Sequence, residues 1–287
     1  MNKQQVAFIG LGVMGYPMAG HLSKAGYQTK VYNRTAAKAE QWCKDYEGTF
    51  ADTPAKAANG ADLVFICVGN DDDLRSVVYG DDGVLAGMKD GAILVDHTTA
   101  SANVAREIAE KARVEFLDAP VSGGQAGAEN GVLTVMVGGD QAAFDTVKPV
   151  IMSYARAAEL LGGVGAGQLT KMVNQICIAG LVQGLAEGLD FAQKSGLDGA
   201  KVVDVISKGA AGSWQMENRA YTMLKDEFEF GFAVDWMRKD LGICIEESGK
   251  NGAKLEVTRI VNDYYGEIQK MGGARWDTSS LIRRLNR

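Results

Sequence analysis

The chain has 287 residues, 46% of them hydrophobic and 23% charged, which is long enough for one large core or two and typical of globular rather than disordered proteins. With 36 acidic residues against 30 basic ones, no basic stripe is available to neutralise a phosphate backbone, so nucleic acid is not an expected partner. Only two histidines and four scattered cysteines, with no C-x-x-C pair, argue against a zinc cluster and against a proton relay built on histidine, so no metal is expected and the catalytic proton must be carried by another group.

Residues 1–5 are polar and lead straight into a short apolar segment, without the basic region and apolar stretch of a secretory signal. The thiols of Cys43, Cys67, Cys177 and Cys244 then point to a reducing cytoplasm. No 18-residue apolar run is evident, so no membrane partner is expected. From Val6 to about Leu161, short β-rich runs alternate with helical stretches, the pattern of a parallel sheet wrapped by helices. Strands are expected at 6–9, 28–32, 63–68, 92–96, 114–119, 133–137 and 158–161, with helices including 36–46 and 104–112. After the glycine-rich stretch 162–167 no strand-length alternation remains, and apolar residues recur at three- and four-residue spacing. The expected division is a dinucleotide-binding α/β domain over 1–163 and an all-helical domain over 164–287. Residues 168–194 read as one helix of about 40 Å, apolar on more than one face and therefore the buried spine of the second domain. The basic tail Arg283, Arg284 and Arg287 reads as a solvated terminus.

Gly10-Leu11-Gly12-Val13-Met14-Gly15 follows the first strand and opens a helix, the context a dinucleotide turn requires. Its glycines permit the tight turn, the approach of a pyrophosphate to the backbone, and close helix–strand packing, while the helix start offers free N–H groups to the phosphates. A carboxylate that would hold the adenine ribose 2′-hydroxyl is expected at the end of the second strand. That place holds Asn33-Arg34-Thr35 instead, in which Arg34 suits a 2′-phosphate, Thr35 can cap the next helix, and no acid repels the extra charge.

The string from Gly10 to Leu22 resembles the β-hydroxyacid dehydrogenases, a family that includes 3-hydroxyisobutyrate dehydrogenases and small semialdehyde reductases. Three further motifs carry the resemblance across nearly the whole chain. Asp118-Ala-Pro-Val-Ser-Gly-Gly124 is similar to the family's substrate-binding motif, Gly165-Ala-Gly-Gln-Leu-Thr-Lys-Met-Val-Asn174 to its catalytic motif, and Lys239-Asp240-Leu241 to its late motif. The resemblance implies a Rossmann-type domain (α/β) followed by an all-α domain of the 6-phosphogluconate dehydrogenase type, with NADP(H) as cofactor and a homo-oligomer, dimer or tetramer. It also implies that Val68 and Thr98 line the cofactor and that Lys239 reaches it. The substrate would be a small carboxylate-bearing 3-hydroxy acid or its semialdehyde or oxo acid, held by Ser122, Gly123 and Gly124, which can form an anion-binding nest, with Asn174 and Gln175 beside it.

Lys171 falls just inside the spine helix, where a lysine is costly unless partnered or used, and partial burial lowers its pKa toward a value suited to proton exchange. Asn174 follows one turn later on the same side and can orient the substrate oxygen. Imine reduction on the same fold is a rival reading that Lys171 argues against, and a cofactor-binding scaffold or sensor without turnover is another that the retained Lys171 and Ser122 motifs weigh against. His97 departs from the family pattern and reads as a strand-end or capping residue. Gln175 stands where many relatives have asparagine, and Tyr221 to Lys225 matches Y-x-x-x-K by chance. Trp214 and Phe232 could close the pocket or belong to the core.

Overall fold

The computed structural model describes residues 4–285, so Arg287 of the basic tail lies outside the described residues. Contacts divide the chain into two compact units, one running through Lys171 and the other starting at Met172.

In the first unit the elements follow in the order β1 (Gln5–Ile9), α1 (Gly15–Lys24), β2 (Gln28–Tyr32), α2 (Ala36–Asp45), β3 (Thr49–Phe50), α3 (Pro54–Ala58), β4 (Leu63–Ile66), α4 (Asp71–Val78) and α5 (Val84–Gly87). They continue with β5 (Ile93–Asp96), α6 (Ala102–Lys111), β6 (Glu115–Asp118), β7 (Val121–Ser122), α7 (Gly124–Glu129), β8 (Leu133–Val137), α8 (Gln141–Ile151) and β9 (Ala155–Leu160). Six strands form a sheet in the order β3-β2-β1-β4-β5-β6, parallel at every pairing. Helices cover both faces, which is why β4 (LVFI) and β5 (ILVD) are buried along their whole length. Alternate residues of β1 serve opposite faces: Val6 and Phe8 join a core with Val31, Trp42 and Val95, while Ala7 and Ile9 join another with Ile66, Leu74 and Leu94.

A second sheet, β7-β8-β9, was not expected. Its β7 runs antiparallel to β8, whereas β8 and β9 are parallel. It meets the end of β6 through a reciprocal backbone pair, Asp118 N–H to Gly138 O at 3.1 Å and Gly138 N–H to Asp118 O at 2.8 Å.

The helix α9 (Ala166–Lys194) begins in the first unit, and the contact boundary falls inside it rather than in the glycine-rich stretch at 162–167. In the second unit the remainder of α9 is followed by α10 (Gly199–Ile206), α11 (Trp214–Leu224), α12 (Val234–Asn251), α13 (Glu256–Lys270) and a closing 3-10 turn, Thr278–Arg284. By length and mean hydropathy α9 could cross a membrane, contrary to the expectation from sequence. Its Ala179, Val182, Ala186 and Leu189 nevertheless join Met216, Met237, Leu241 and Tyr265 in the unit's core. The basic tail is also not simply solvated: Arg283 forks onto the Asp226 carboxylate at 2.6 and 2.8 Å and stacks over Trp276.

Candidate cofactor and active site

The turn after β1 is built as a dinucleotide cradle. Gly10 has φ +98°, and a Cβ there would lie 2.2 Å from the Cys67 carbonyl oxygen, while one at Gly15 would lie 1.9 Å from Gly10 O. Both positions are closed to any side chain. At Gly12 a Cβ would meet nothing within 4 Å, so this glycine leaves backbone bare toward open space, as approach of a phosphate requires. Met14, at the N-cap of α1, makes no side-chain capping bond, although Tyr16 N–H already donates to Gly12 O at 3.0 Å and Pro17 has no N–H to offer. Leu11 is buried, and its N–H donates to Asn33 Oδ1 at 2.9 Å, tying the turn to the end of β2.

Two expectations at the end of β2 require correction. Thr35 occupies the N-cap of α2, but its side chain makes no capping bond; its carbonyl oxygen instead accepts from Asn33 Nδ2 at 3.0 Å. Arg34 is not free of acids either, since its Nη1 pairs with Asp73 Oδ1 at 3.1 Å, with the arginine side chain 84% exposed. Asp73 comes from the first turn of α4, which follows a different strand, so nothing local in the sequence announces the pair.

At the neighbouring strand ends, Val68 N–H donates to Thr98 Oγ1 at 3.1 Å and Thr98 N–H donates to Asp96 Oδ1 at 2.9 Å. Burial pushes the Asp96 carboxyl up to about 7, against its bonds from Thr98 and with further help from the charges of Asp118 and Asp71. His97 is wholly inside the unit. It stacks on Phe65, its Nδ1 lies 2.6 Å from Ala119 O and its Nε2 lies 2.9 Å from the Tyr154 hydroxyl. A carbonyl can only accept, so Nδ1 carries the proton and Nε2 accepts from Tyr154. Burial lowers its pKa to about 4, which makes His97 a neutral structural link rather than an acid.

Ser122 ends β7, opposite Thr134. Gly123 (φ +132°) and Gly124 (φ +62°) then turn the chain into α7, in a conformation that glycine alone adopts readily, so the first N–H groups of α7 follow directly on the Ser122 hydroxyl. Asp118 holds the start of α9: Gly165 N–H donates to its Oδ1 at 2.7 Å and Gln168 N–H to its Oδ2 at 2.8 Å. A Cβ on Gly167 would lie 2.4 Å from Asp118 O and 2.5 Å from Met136 O, so the helix backbone presses directly on the ends of β6 and β8. Burial raises the Asp118 carboxyl to about 6, although the surrounding amides favour its charged form. Lys171 lies one turn on from Gln168 and is only 7% exposed.

The first unit therefore gathers Gly10 to Gly15, Asn33 to Thr35, Val68, Thr98, Ser122 to Gly124 and Lys171 beyond the carboxyl ends of its strands, the edge at which open α/β sheets bind ligands. Asn174, Gln175 and Lys239 form a separate chain of contacts in the second unit. Asn174 Nδ2 donates to Gln175 Oε1 at 2.8 Å, Gln175 Nε2 donates to Asp240 Oδ2 at 2.6 Å, and Lys239 Nζ lies 3.0 Å from Asp240 Oδ1. Gln175 is 2% exposed and spends its amide on Asp240 and Asn174, so it acts as a link between side chains. Phe232 packs against the core of this unit, whereas Trp214 is exposed with Arg219 over its ring. Tyr221 is bonded to Asp204 on the surface, consistent with a chance Y-x-x-x-K match. In the sequence Asp118, Gln168 and Asp240 stand only as members of motifs, because their bonds to Gln168 N–H, Thr98 O and Gln175 join segments 50 to 70 residues apart. Asp96 has no role there, since its bond to Thr98 is local but its burial is not written in the sequence.

Comparison with known proteins agrees with this geometry. Residues 5–173 match the family model described as the NAD binding domain of 6-phosphogluconate dehydrogenase. Residues 165–285 match the one described as NAD-binding of NADP-dependent 3-hydroxyisobutyrate dehydrogenase. The chain is 68% identical to an uncharacterized oxidoreductase of Shewanella frigidimarina over 99% of its own length and 98% of that protein. It is 32% identical to the 2-hydroxy-3-oxopropionate reductase of Escherichia coli K12, over 98% and 97% of the two chains. Among solved structures, it is similar to a 3-hydroxyisobutyrate dehydrogenase of Mycobacterium tuberculosis with L-serine, with a TM-score of 0.89, 29% identity, and coverage of 99% and 100%. A cradle of this construction, followed by the lysine-bearing helix and matched along its whole length, places the chain in the β-hydroxyacid dehydrogenase family of NAD(P)-dependent oxidoreductases.

Proposed function

We propose that the protein is an NADP(H)-dependent reductase of short carboxylate-bearing semialdehydes or oxo acids, interconverting them with the hydroxy acids. The observation that carries this reading is the position of Lys171, nearly buried and one turn into a helix whose start is bonded to the strand ends of the dinucleotide unit. When bound, the dinucleotide supplies the hydride to the carbonyl carbon or takes it back from the alcohol. Ser122, Gly123 and Gly124 hold the substrate carboxylate through a hydroxyl and backbone N–H groups. Lys171 gives a proton from Nζ to the oxygen that becomes the hydroxyl, and in the oxidative direction takes that proton as general base. Asn174, three residues further along the helix, orients the same oxygen, and Lys239 serves the cofactor. Arg34 at the end of β2 supports NADP(H) over NAD(H). A homo-oligomer is part of the same reading, supported by the exposed Phe191 and Val205 of the second unit and tested by light scattering, and a reducing cytoplasm is supported by the four free thiols.

The test is NADPH consumption with glyoxylate, succinic semialdehyde and a panel of related acids, run beside Lys171→Ala. Turnover by the parent protein and its loss in the variant are expected. Absence of turnover on the whole panel with either cofactor overturns the reading.

A further inference from the structure

Gln168, in the first turn of α9, is 1% exposed and has both ends of its side-chain amide engaged. Its Oε1 accepts from Ala100 N–H at 3.1 Å, and its Nε2 donates to Thr98 O at 2.7 Å. A backbone N–H can only donate and a carbonyl can only accept, so a single orientation of the amide satisfies both partners. The segment it grips is itself held from the other side, because Thr98 Oγ1 accepts from Val68 N–H and Thr98 N–H donates to Asp96. The backbone N–H of Gln168 meanwhile donates to Asp118. The first turn of α9 is thus tied by one side chain to the segment after β5, which Thr98 in turn links to Val68 after β4, and by its backbone to the end of β6.

Lys171 lies three residues after Gln168, on the same face of the helix. We propose that Gln168 is a positioning residue for Lys171: its amide sets the angle at which α9 presents the lysine to the strand ends carrying Val68 and Thr98. The inference rests on the proposed role of Lys171 as proton carrier. A bond that only held the fold together would change stability and the amount of active protein, and leave the rate per folded molecule alone. A bond that aims the lysine changes the proton-transfer step itself.

The experiment uses Gln168→Met, which keeps the length and shape of the side chain and removes both bonds. In the full-length protein, kcat should fall about 10- to 100-fold, the loss typical of a misplaced reacting group. NADPH Kd from fluorescence, and KM for the carbonyl substrate, should stay within about twofold. The solvent deuterium isotope effect on kcat should rise, and amide exchange at Ala100 and in the first turn of α9 should accelerate. A folded variant with kcat within twofold of the parent overturns the proposal. So does a fall in kcat that follows the folded fraction and leaves the isotope effect unchanged. If Gln168→Met does not fold, Gln168→Glu decides, because it keeps the acceptor for Ala100 N–H and turns an oxygen toward Thr98 O. A several-fold loss in kcat with a raised isotope effect supports the proposal, and an unchanged rate overturns it. If the parent turns over nothing on the panel, the reading of function fails first. The clamp is then judged on exchange alone, with faster exchange at Ala100 in Gln168→Met supporting it and unchanged exchange overturning it.

Discussion

On the proposed reading, cofactor preference is set by a competition at Arg34. A charge-assisted contact from its guanidinium to a 2′-phosphate is worth about 1.5–3 kcal/mol. That guanidinium already pairs with Asp73 at 3.1 Å, and an exposed pair of this kind contributes about 0.2–1 kcal/mol that binding must give up or share. The difference, roughly 0.5–2.8 kcal/mol, corresponds to about a 2- to 100-fold preference for NADPH over NADH. Asp73→Asn removes the competing carboxylate and its repulsion of the phosphate, and should raise the preference a further 2- to 5-fold or so. Arg34→Ala should bring it to parity or below. The assay is kcat/KM for each cofactor at a fixed saturating carbonyl substrate, with Kd from fluorescence as a check independent of turnover. A parent protein that uses NADH as well as NADPH refutes the assignment. An Asp73→Asn variant whose ratio stays put or falls refutes the competition.

Lys171→Ala should lose at least the 10²- to 10⁴-fold typical of general acid–base catalysis and keep NADPH Kd near the parent value; kcat within about tenfold would show that another group carries the proton. Ser122→Ala should raise KM for carboxylate substrates by roughly tenfold with little change in cofactor Kd, and an unchanged KM would place the carboxylate elsewhere. The raised pKa of Asp96 gives a pH-dependent stability of defined sign. Its folded value near 7 exceeds its unfolded value, so it contributes stability that is fully present below about pH 4 and lost as pH rises toward 7. Relative to the parent, Asp96→Asn should therefore gain on the order of 2–3 kcal/mol between pH 5 and pH 8 in urea unfolding, and an equal difference at both pH values would contradict the buried-charge argument.

The parts legible in the sequence are those written in short-range pattern. The continuous apolar runs of β4 and β5 and the glycine spacing from Gly10 to Gly15 each declare a local environment and are found where expected, whereas α9 is a helix as expected but buries one apolar face only, leaving Val173, Leu181 and Phe191 exposed. Two-residue strands such as β3 and β7 have no periodicity to read, so β8 and most of β9 were expected while β7, and with it the separation of these strands into a second sheet, was not. The partners of Arg34, Asp118 and Gln168 lie 39, 50 and 70 residues away, and no window along the chain contains both ends of such a bond. Thr35 shows the converse error: it has the right residue type for a cap, at the right place, with no capping bond formed. His97 looked unusual by residue type, and only the distances to Ala119 and Tyr154 show it to be a neutral strut.

The division of the chain inside α9, after Lys171, bears on how such proteins can be recombined. A splice at the glycines preceding the helix would hand the lysine to whichever helical half is grafted on, and would leave the Asp118 carboxylate without the amides of Gly165 and Gln168 that belong to it. A splice just beyond Lys171 would keep that lysine, Gln168 with its partners and the glycine turn after β1 in one inherited block. Helical halves from relatives could then be exchanged without cutting any of the bonds that Gly165 and Gln168 make to the strand ends.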